Sequence, residues 1–153
     1  MSAFTTLHSN IQEVTFLEES FEDAKSMAER MGFKFIDHET VGDWDVGIFE
    51  GTSGMSRSMG LGDGGFYQIS LNRVNYNFLT DQGKTGIPVS KDFVRSFRGV
   101  EEQLKGWLQK YDDKPHYVGS HNEKKTKSYK RMLDRFSDIK TGEIVGFSFK
   151  ITN

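Results

Sequence analysis

The sequence predicts an α+β domain: a single antiparallel sheet of about four to six strands, with two or three helices packed mainly on one face. Three observations predict it. Tyr67, Ile69 and Leu71 alternate with Gln68, Ser70 and Asn72, the period of a half-buried strand. Apolar residues elsewhere recur at spacings of three and four, the stripe of an amphipathic helix. Strand-like stretches follow one another with short links, which favours antiparallel pairing.

The elements follow in order. Phe4, Leu7 and Ile11 suit a short strand within residues 3–12. Thr15 and Glu18 have capping-box spacing, in which the hydroxyl accepts from a free backbone N–H and the carboxylate reaches back. Leu17, Phe21, Ala24, Ala28 and Met31 then form a helical stripe that Gly32 stops. Phe33, Phe35 and Ile36 open a strand, and Trp44, Val46 and Ile48 form another. Eight of the 16 glycines fall between Gly42 and Gly65, so residues 52–65 read as a long Gly-rich loop. After the Tyr67–Leu71 strand, Asn75 to Leu79 suit a hairpin partner, and Asp81 to Pro88 form a connection.

Ser90 suits the cap of a helix carrying Phe93, Phe97, Val100, Leu104, Trp107, Leu108 and Tyr111. Gly99 and Gly106 inside it signal close packing or a break near Gly99. Tyr117–Val118 suggest a short strand. Asn122 caps a third helix with Tyr129, Met132, Leu133 and Phe136 on one side. Gly142 precedes a last strand in which Val145, Phe147, Phe149 and Ile151 alternate with polar or small residues.

Length and composition narrow the function classes. The 153 residues are read as one domain, 1–153, and Phe (13 copies) is its main core filler. Zero Cys excludes disulfides, thiolate metal sites and thiol catalysis. No apolar run approaches a membrane span and no basic-then-apolar leader opens the chain, so a cytoplasmic, membrane-free protein is expected. The net charge of −2 hides a polarity. Residues 1–52 hold 11 Asp/Glu against 3 Lys/Arg, a net −8, and residues 53–153 hold 17 Lys/Arg against 11 Asp/Glu, a net +6. A fold that keeps those halves apart suits a charged partner or head-to-tail self-association.

Gly60, Gly62 and Gly65 match G-x-G-x-x-G, but a strand follows where a dinucleotide fold needs a helix. What survives is a loop with exposed N–H groups beside Ser56 and Arg57, able to bind phosphate or contact a partner. Gly83-Lys84-Thr85 lacks the glycine five residues earlier that a phosphate-binding loop requires, Phe78 standing there. His38-Glu39-Thr40 and His116 outline an incomplete two-histidine phosphoesterase pattern. They are the weak catalytic candidates, and isolated surface histidines are the default. His8, with Ser9, and His121 do not complete the pattern. His116 and His121 with Asp112 and Asp113 lack metal-ligand spacing, so no metal and no cofactor is expected. Asp43 and Asp45 flank Trp44 as a strand face. Lys124, Lys125, Lys127, Lys130 and Arg131 form a basic helix on which Lys124, Lys127 and Arg131 share one face. Tyr129 falls on the apolar side and is expected to pack.

Short echoes resemble a known family. Met1-Ser2-Ala3-Phe4-Thr5-Thr6, Trp44-Asp45-Val46-Gly47, Asp63-Gly64-Gly65-Phe66, Gln109-Lys110-Tyr111 and Gly142-Glu143-Ile144 are similar to segments of the small uncharacterised plastid and cyanobacterial reading-frame family that begins Met-Ser-His-Phe-Ser/Thr. Ala3 stands where that family has His, and the 52–62 loop and the basic helix look like insertions. The resemblance implies an α+β fold and brings no catalytic residues. The make-up (no Cys, few Pro, many Phe and Gly) also resembles small phage-encoded proteins.

The expectation is a binding protein rather than an enzyme. Its contacts are Arg57, Gly60, Gly62 and Gly65 of the loop and Lys124, Lys127 and Arg131 of the helix. A protein partner comes first and a nucleic acid or nucleotide second. The alternatives are a protein or phosphoesterase that takes a phosphorylated small molecule through the loop, Arg57, His38 and Thr40, and a structural homo-oligomer subunit.

Overall fold

The computed structural model describes residues 21–73, 91–120 and 122–153. The expectations for residues 3–12, Thr15, Leu17 and Glu18, for Asn75–Leu79, the 81–88 connection and the Ser90 cap, and for His8, Phe78, Gly83–Thr85, the Phe93 side chain and His121 lie outside the described residues.

Among the described residues ten elements run in the order α1 (Phe21–Arg30), β1 (Lys34–Val41), β2 (Trp44–Gly51), α2 (Ser53–Ser58), β3 (Phe66–Arg73), α3 (Lys91–Lys110), β4 (His116–Gly119), α4 (Glu123–Leu133), β5 (Lys140–Val145) and β6 (Ser148–Thr152). The six strands form one sheet in the order β1-β2-β3-β4-β6-β5. The class is α+β. Four of the pairings are antiparallel, and β3 with β4 is parallel. That pair departs from an all-antiparallel sheet because the link between its strands passes through a 20-residue helix, the length a parallel crossover needs.

Local chemistry accounts for the ends of α1 and α4. At the end of α1, Gly32 sits at φ +102°, its N–H donates to Glu29 O and that of Phe33 to Ala28 O, the two bonds of a Schellman motif. Asn122 caps α4 by accepting from Lys125 N at 3.1 Å.

One sheet face is apolar. Val46 and Ile48 of β2, Ile69 and Leu71 of β3, Val118 of β4 and Phe149 and Ile151 of β6 pack against Phe97, Val100, Leu104 and Trp107 of α3 and Tyr129 and Leu133 of α4. Truncating one of these large buried side chains to Ala costs about 2–5 kcal/mol. Gly99 is a point of close packing, not a break. The helix is continuous, and a Cβ there would stand 2.5 Å from Val41 Cγ1. The opposite face is covered over β1 and β2 by α1, whose Phe21 ring lies 6.1 Å from Phe35 and 6.3 Å from Phe49.

Two elements differ from the sequence expectation. The 52–65 segment is not all loop: Thr52 caps a six-residue helix, α2. The alternation from Val145 to Ile151 is not one strand. Gly146, at φ +64°, turns the chain between β5 and β6, and Val145 and Phe147 are exposed there.

Candidate functional site

The strand order decides the charge question raised by the sequence. Residues 21–52 form the β1 side of the sheet and carry eight Asp/Glu against three Lys/Arg, a net −5. Residues 122–153 form the β5 side and carry eight Lys/Arg against four Asp/Glu, a net +4. The acidic and basic stretches stand at opposite edges.

The basic edge converges on the β5–β6 turn. Thr126 of α4 is fully buried and donates to the Phe147 carbonyl at 2.9 Å, and Ser120 N donates to the same oxygen at 3.2 Å. Tyr129, packed as expected, donates to Leu71 O at 2.7 Å. With Thr126, Tyr129 and Leu133 inward, Lys124, Lys127 and Arg131 are left outward and exposed together. Lys127 pairs with Glu123 at 3.1 Å, a solvent-exposed pair worth a few tenths of a kcal/mol and readily exchanged for another anion. Lys130 is tied down, donating to Thr141 Oγ1 at 2.8 Å.

The Gly-rich segment reaches the same turn: a Cβ at Gly60 would stand 3.8 Å from Val145 Cγ1. The segment is folded back on itself. Buried Ser56 bonds Thr52 O and Gly64 O, and Leu61 N donates to Ser56 O at 2.7 Å. Arg57 lies outside, 4.0 Å from the exposed Asp63. Gly62 is exposed with open space around it. Gly65 is apart from the turn; a Cβ there would meet Gly51 O at 2.9 Å and Lys114 Cε at 3.1 Å. The turn exposes Phe147 by 50% and Val145 by 42%, an apolar tip whose Phe147 carbonyl is held by Thr126 of α4 and whose Val145 lies by the Gly60 bend.

A second polar group lies at the starts of the parallel strands. Lys114 Nζ reaches Asp113 Oδ2 at 2.8 Å and Glu50 Oε2 at 3.0 Å, while Tyr67 O–H donates to Asp113 Oδ1 at 2.8 Å. Burial, with the Asp113 hydrogen bond second, pushes the Tyr67 phenol up to about 12. The Lys114 ammonium, followed by Tyr67, holds Asp113 below its usual range, and the two carboxylates raise Lys114. His116 is buried 4.9 Å from the Tyr67 ring, with Nε2 unpartnered among the described residues. Burial lowers its pKa, which favours the neutral ring.

His38 and Thr40 sit elsewhere, on the other sheet face. His38 Nε2 lies 2.8 Å from Asp45 Oδ1 and Thr40 donates to the same oxygen at 3.1 Å, with Phe21 stacked 3.7 Å from the imidazole. A hydroxyl bonded to the carboxylate and not to the imidazole is not activated as a nucleophile. The structure therefore does not bring His38, Thr40, Arg57 and His116 into one pocket, because His116 belongs to the core face and His38 to the opposite one. Asp45, expected as part of a plain exposed face, is the acceptor that organises the β1 group. Among the described residues no three His, Cys, Asp or Glu side chains are placed to hold a metal ion, and no helix is long and apolar enough to cross a membrane.

The fold and its two polar groups define an α+β protein with a mixed six-stranded sheet and opposed acidic and basic edges. Comparison with known proteins finds no match: no family model, no curated protein and no solved structure is significantly similar to this chain.

Lys114, Glu50 and the hydroxyl of Tyr67 carry no functional signal of their own in the sequence, and Asp113 only that of a rejected metal ligand; the four meet only through strand pairing and the approach to β4. The run Asp112-Asp113-Lys114-Pro115 before a short strand was the one local signal for them. Phe147 was missed because its alternation placed it inside a strand.

Proposed function

We propose that this is a binding protein that captures an acidic segment of a protein partner over the β5–β6 turn. The observations that carry this are the exposed Val145–Phe147 tip, whose Phe147 carbonyl is held by Thr126 of α4, and the outward Lys124, Lys127 and Arg131 of that same helix. An aromatic anchor with a charged rim is the usual composition of an energetic centre in an interface. Nucleic acid fits less well. The chain carries net −2, its opposite edge is acidic, and the aromatic ring of α4 is buried. The Gly60 bend, with Arg57 on α2, forms the neighbouring rim.

The test is cross-linked capture from the host with the wild-type chain, a K124E/K127E/R131E variant and a Phe147→Ser variant. The expected result is an acidic partner retained by the wild-type chain and lost by both variants, with unchanged melting temperature. Equal capture by all three, or capture replaced by gel-shift binding to RNA or DNA, overturns the proposal.

The segregation of charge supports a second reading, head-to-tail self-association of acidic edge on basic edge. Light scattering at low and high salt tests it: salt-sensitive multimers are expected, and a monomer at both salts removes the idea.

A further inference from the structure

A cleft of about 390 Å³ opens at the end of β2, lined by Gly32, Lys34, Glu50, Gly51, Thr52, Ser53, Gly65 and Lys114. It is separate from the β5–β6 turn, and its size falls at the small end of ligand pockets, about 300–1,000 Å³. Its polar groups are mostly donors with spare capacity. Lys114 uses two of its three N–H bonds on Glu50 and Asp113, leaving one. Thr52 Oγ1 accepts from Met55 N, which leaves its own proton to give. Lys34 and Ser53 are exposed on the rim, with no hydrogen bond or ion pair among the described residues. Lys34 and Lys114 are the two ammoniums of the lining and Glu50 its carboxylate; Asp113, held by Lys114 from outside the lining, offsets one further charge.

The walls are shaped by close backbone approach. A Cβ at Gly65 would press on the Gly51 carbonyl and on the Lys114 stem, so this glycine of the G-x-G-x-x-G match keeps Lys114 seated. Lys114 is fixed from three sides, by Glu50, Asp113 and the Tyr67 ring 5.5 Å below its Nζ. A preorganised cation loses less freedom on binding than an exposed one. Lys34 supplies the second, mobile charge.

We propose that this cleft binds a small molecule carrying a phosphate monoester, with Lys34 and Lys114 as countercharges and the Thr52 and Ser53 hydroxyls as donors. Two cations alone would take any anion. Four donors around one small volume favour an oxyanion with three terminal oxygens over a carboxylate with two. On binding, Lys114 keeps Asp113 and Glu50 and gives its one spare N–H to the ligand.

The experiment is isothermal titration of the whole chain with glycerol 3-phosphate, AMP, inorganic phosphate and acetate, followed by amide shift mapping. Saturable binding of a phosphate monoester tighter than acetate is expected, with shifts at Thr52, Ser53 and Gly65. Lys34→Ala, which removes an exposed side chain and spares the fold, weakens it about tenfold or more, the loss of one charge-assisted hydrogen bond. Ser53→Ala weakens it less. Phe147→Ser leaves it unchanged, which separates this site from the partner surface. No saturable binding up to millimolar ligand, binding indifferent to Lys34→Ala, or shifts confined to α4 overturns the proposal.

Discussion

At the β1 edge Asp45 collects His38 and Thr40, and Phe21 lies flat on the imidazole. At the β5–β6 edge the cations of α4 stand outward and Phe147 is exposed at the turn. Both edges are rich in charge, yet one satisfies its polar groups internally and the other leaves its apolar tip uncovered. The difference teaches where recognition chemistry sits. A polar group already bonded within the chain must break that bond to take a partner, whereas a cation in a surface pair exchanges at little cost.

The largest effect is expected where the open edge is fastened down. Thr126→Val keeps the volume but removes two buried hydrogen bonds, to the Phe147 carbonyl and with Ser120 Oγ, while Ser120 N still serves that carbonyl and Asn122 still serves Ser120 Oγ. Thermal or urea unfolding should show a loss of about 2 kcal/mol, two hydrogen bonds at about 1 kcal/mol each. A variant as stable as wild type would mean that α4 does not anchor the turn.

A pH series separates the two sides next. His116 lies in β4 on the side toward β6, and burial is the main cause of its lowered pKa. The unfolded chain takes up a proton near pH 6.5, while the folded ring resists it. This contribution is complete above that pH and is lost as pH falls toward the folded value, at about 1.4 kcal/mol per unit of depression. Stability of the wild type should therefore drop between pH 7 and 5 more steeply than that of His116→Gln. Parallel curves for the two proteins would show that the ring is not held neutral.

Much of this was legible in the sequence. The stripes of α3 and α4, the Asn122 cap, the Gly32 stop and the β2 and β3 alternations are local patterns, and each corresponds to an element. The basic face of α4 was legible because its inward residues, Tyr129 and Leu133, fix which cations point out. The rest depended on pairing. Nothing in a linear pattern tells that β4 runs parallel to β3, and that pairing alone sets His116 beside Tyr67. His38 and His116 read as isolated surface histidines with a weak two-histidine pattern as the alternative; register sends them to opposite faces, and His116 is buried, not on the surface. The Val145–Ile151 alternation hid a turn because Gly146 occupies an outward position in either arrangement.

Asp45→Ala tests the closed edge with a smaller expected loss, about 1 kcal/mol. His38 and Thr40 both lose an acceptor, but both are solvent-accessible enough to turn to water. Hydrogen exchange should quicken along β1 and not along β5. Equal quickening at both edges would break the contrast between them.

Phe147→Ser should change stability least, within about 0.5 kcal/mol and of either sign, since the ring is half exposed and its backbone carbonyl keeps both hydrogen bonds. The same substitution on the partner surface removes the apolar anchor. A buried aromatic anchor at an interface is worth about 2 kcal/mol or more when truncated, some thirtyfold in affinity. Stability and capture should therefore part company at this one position. A large loss of stability would mean that the ring is structural and only happens to show its edge. A small loss in both would leave Lys124, Lys127 and Arg131 as the whole of the contact, a charge surface without an anchor. Only a stable variant that no longer captures its partner fits an edge left open for binding.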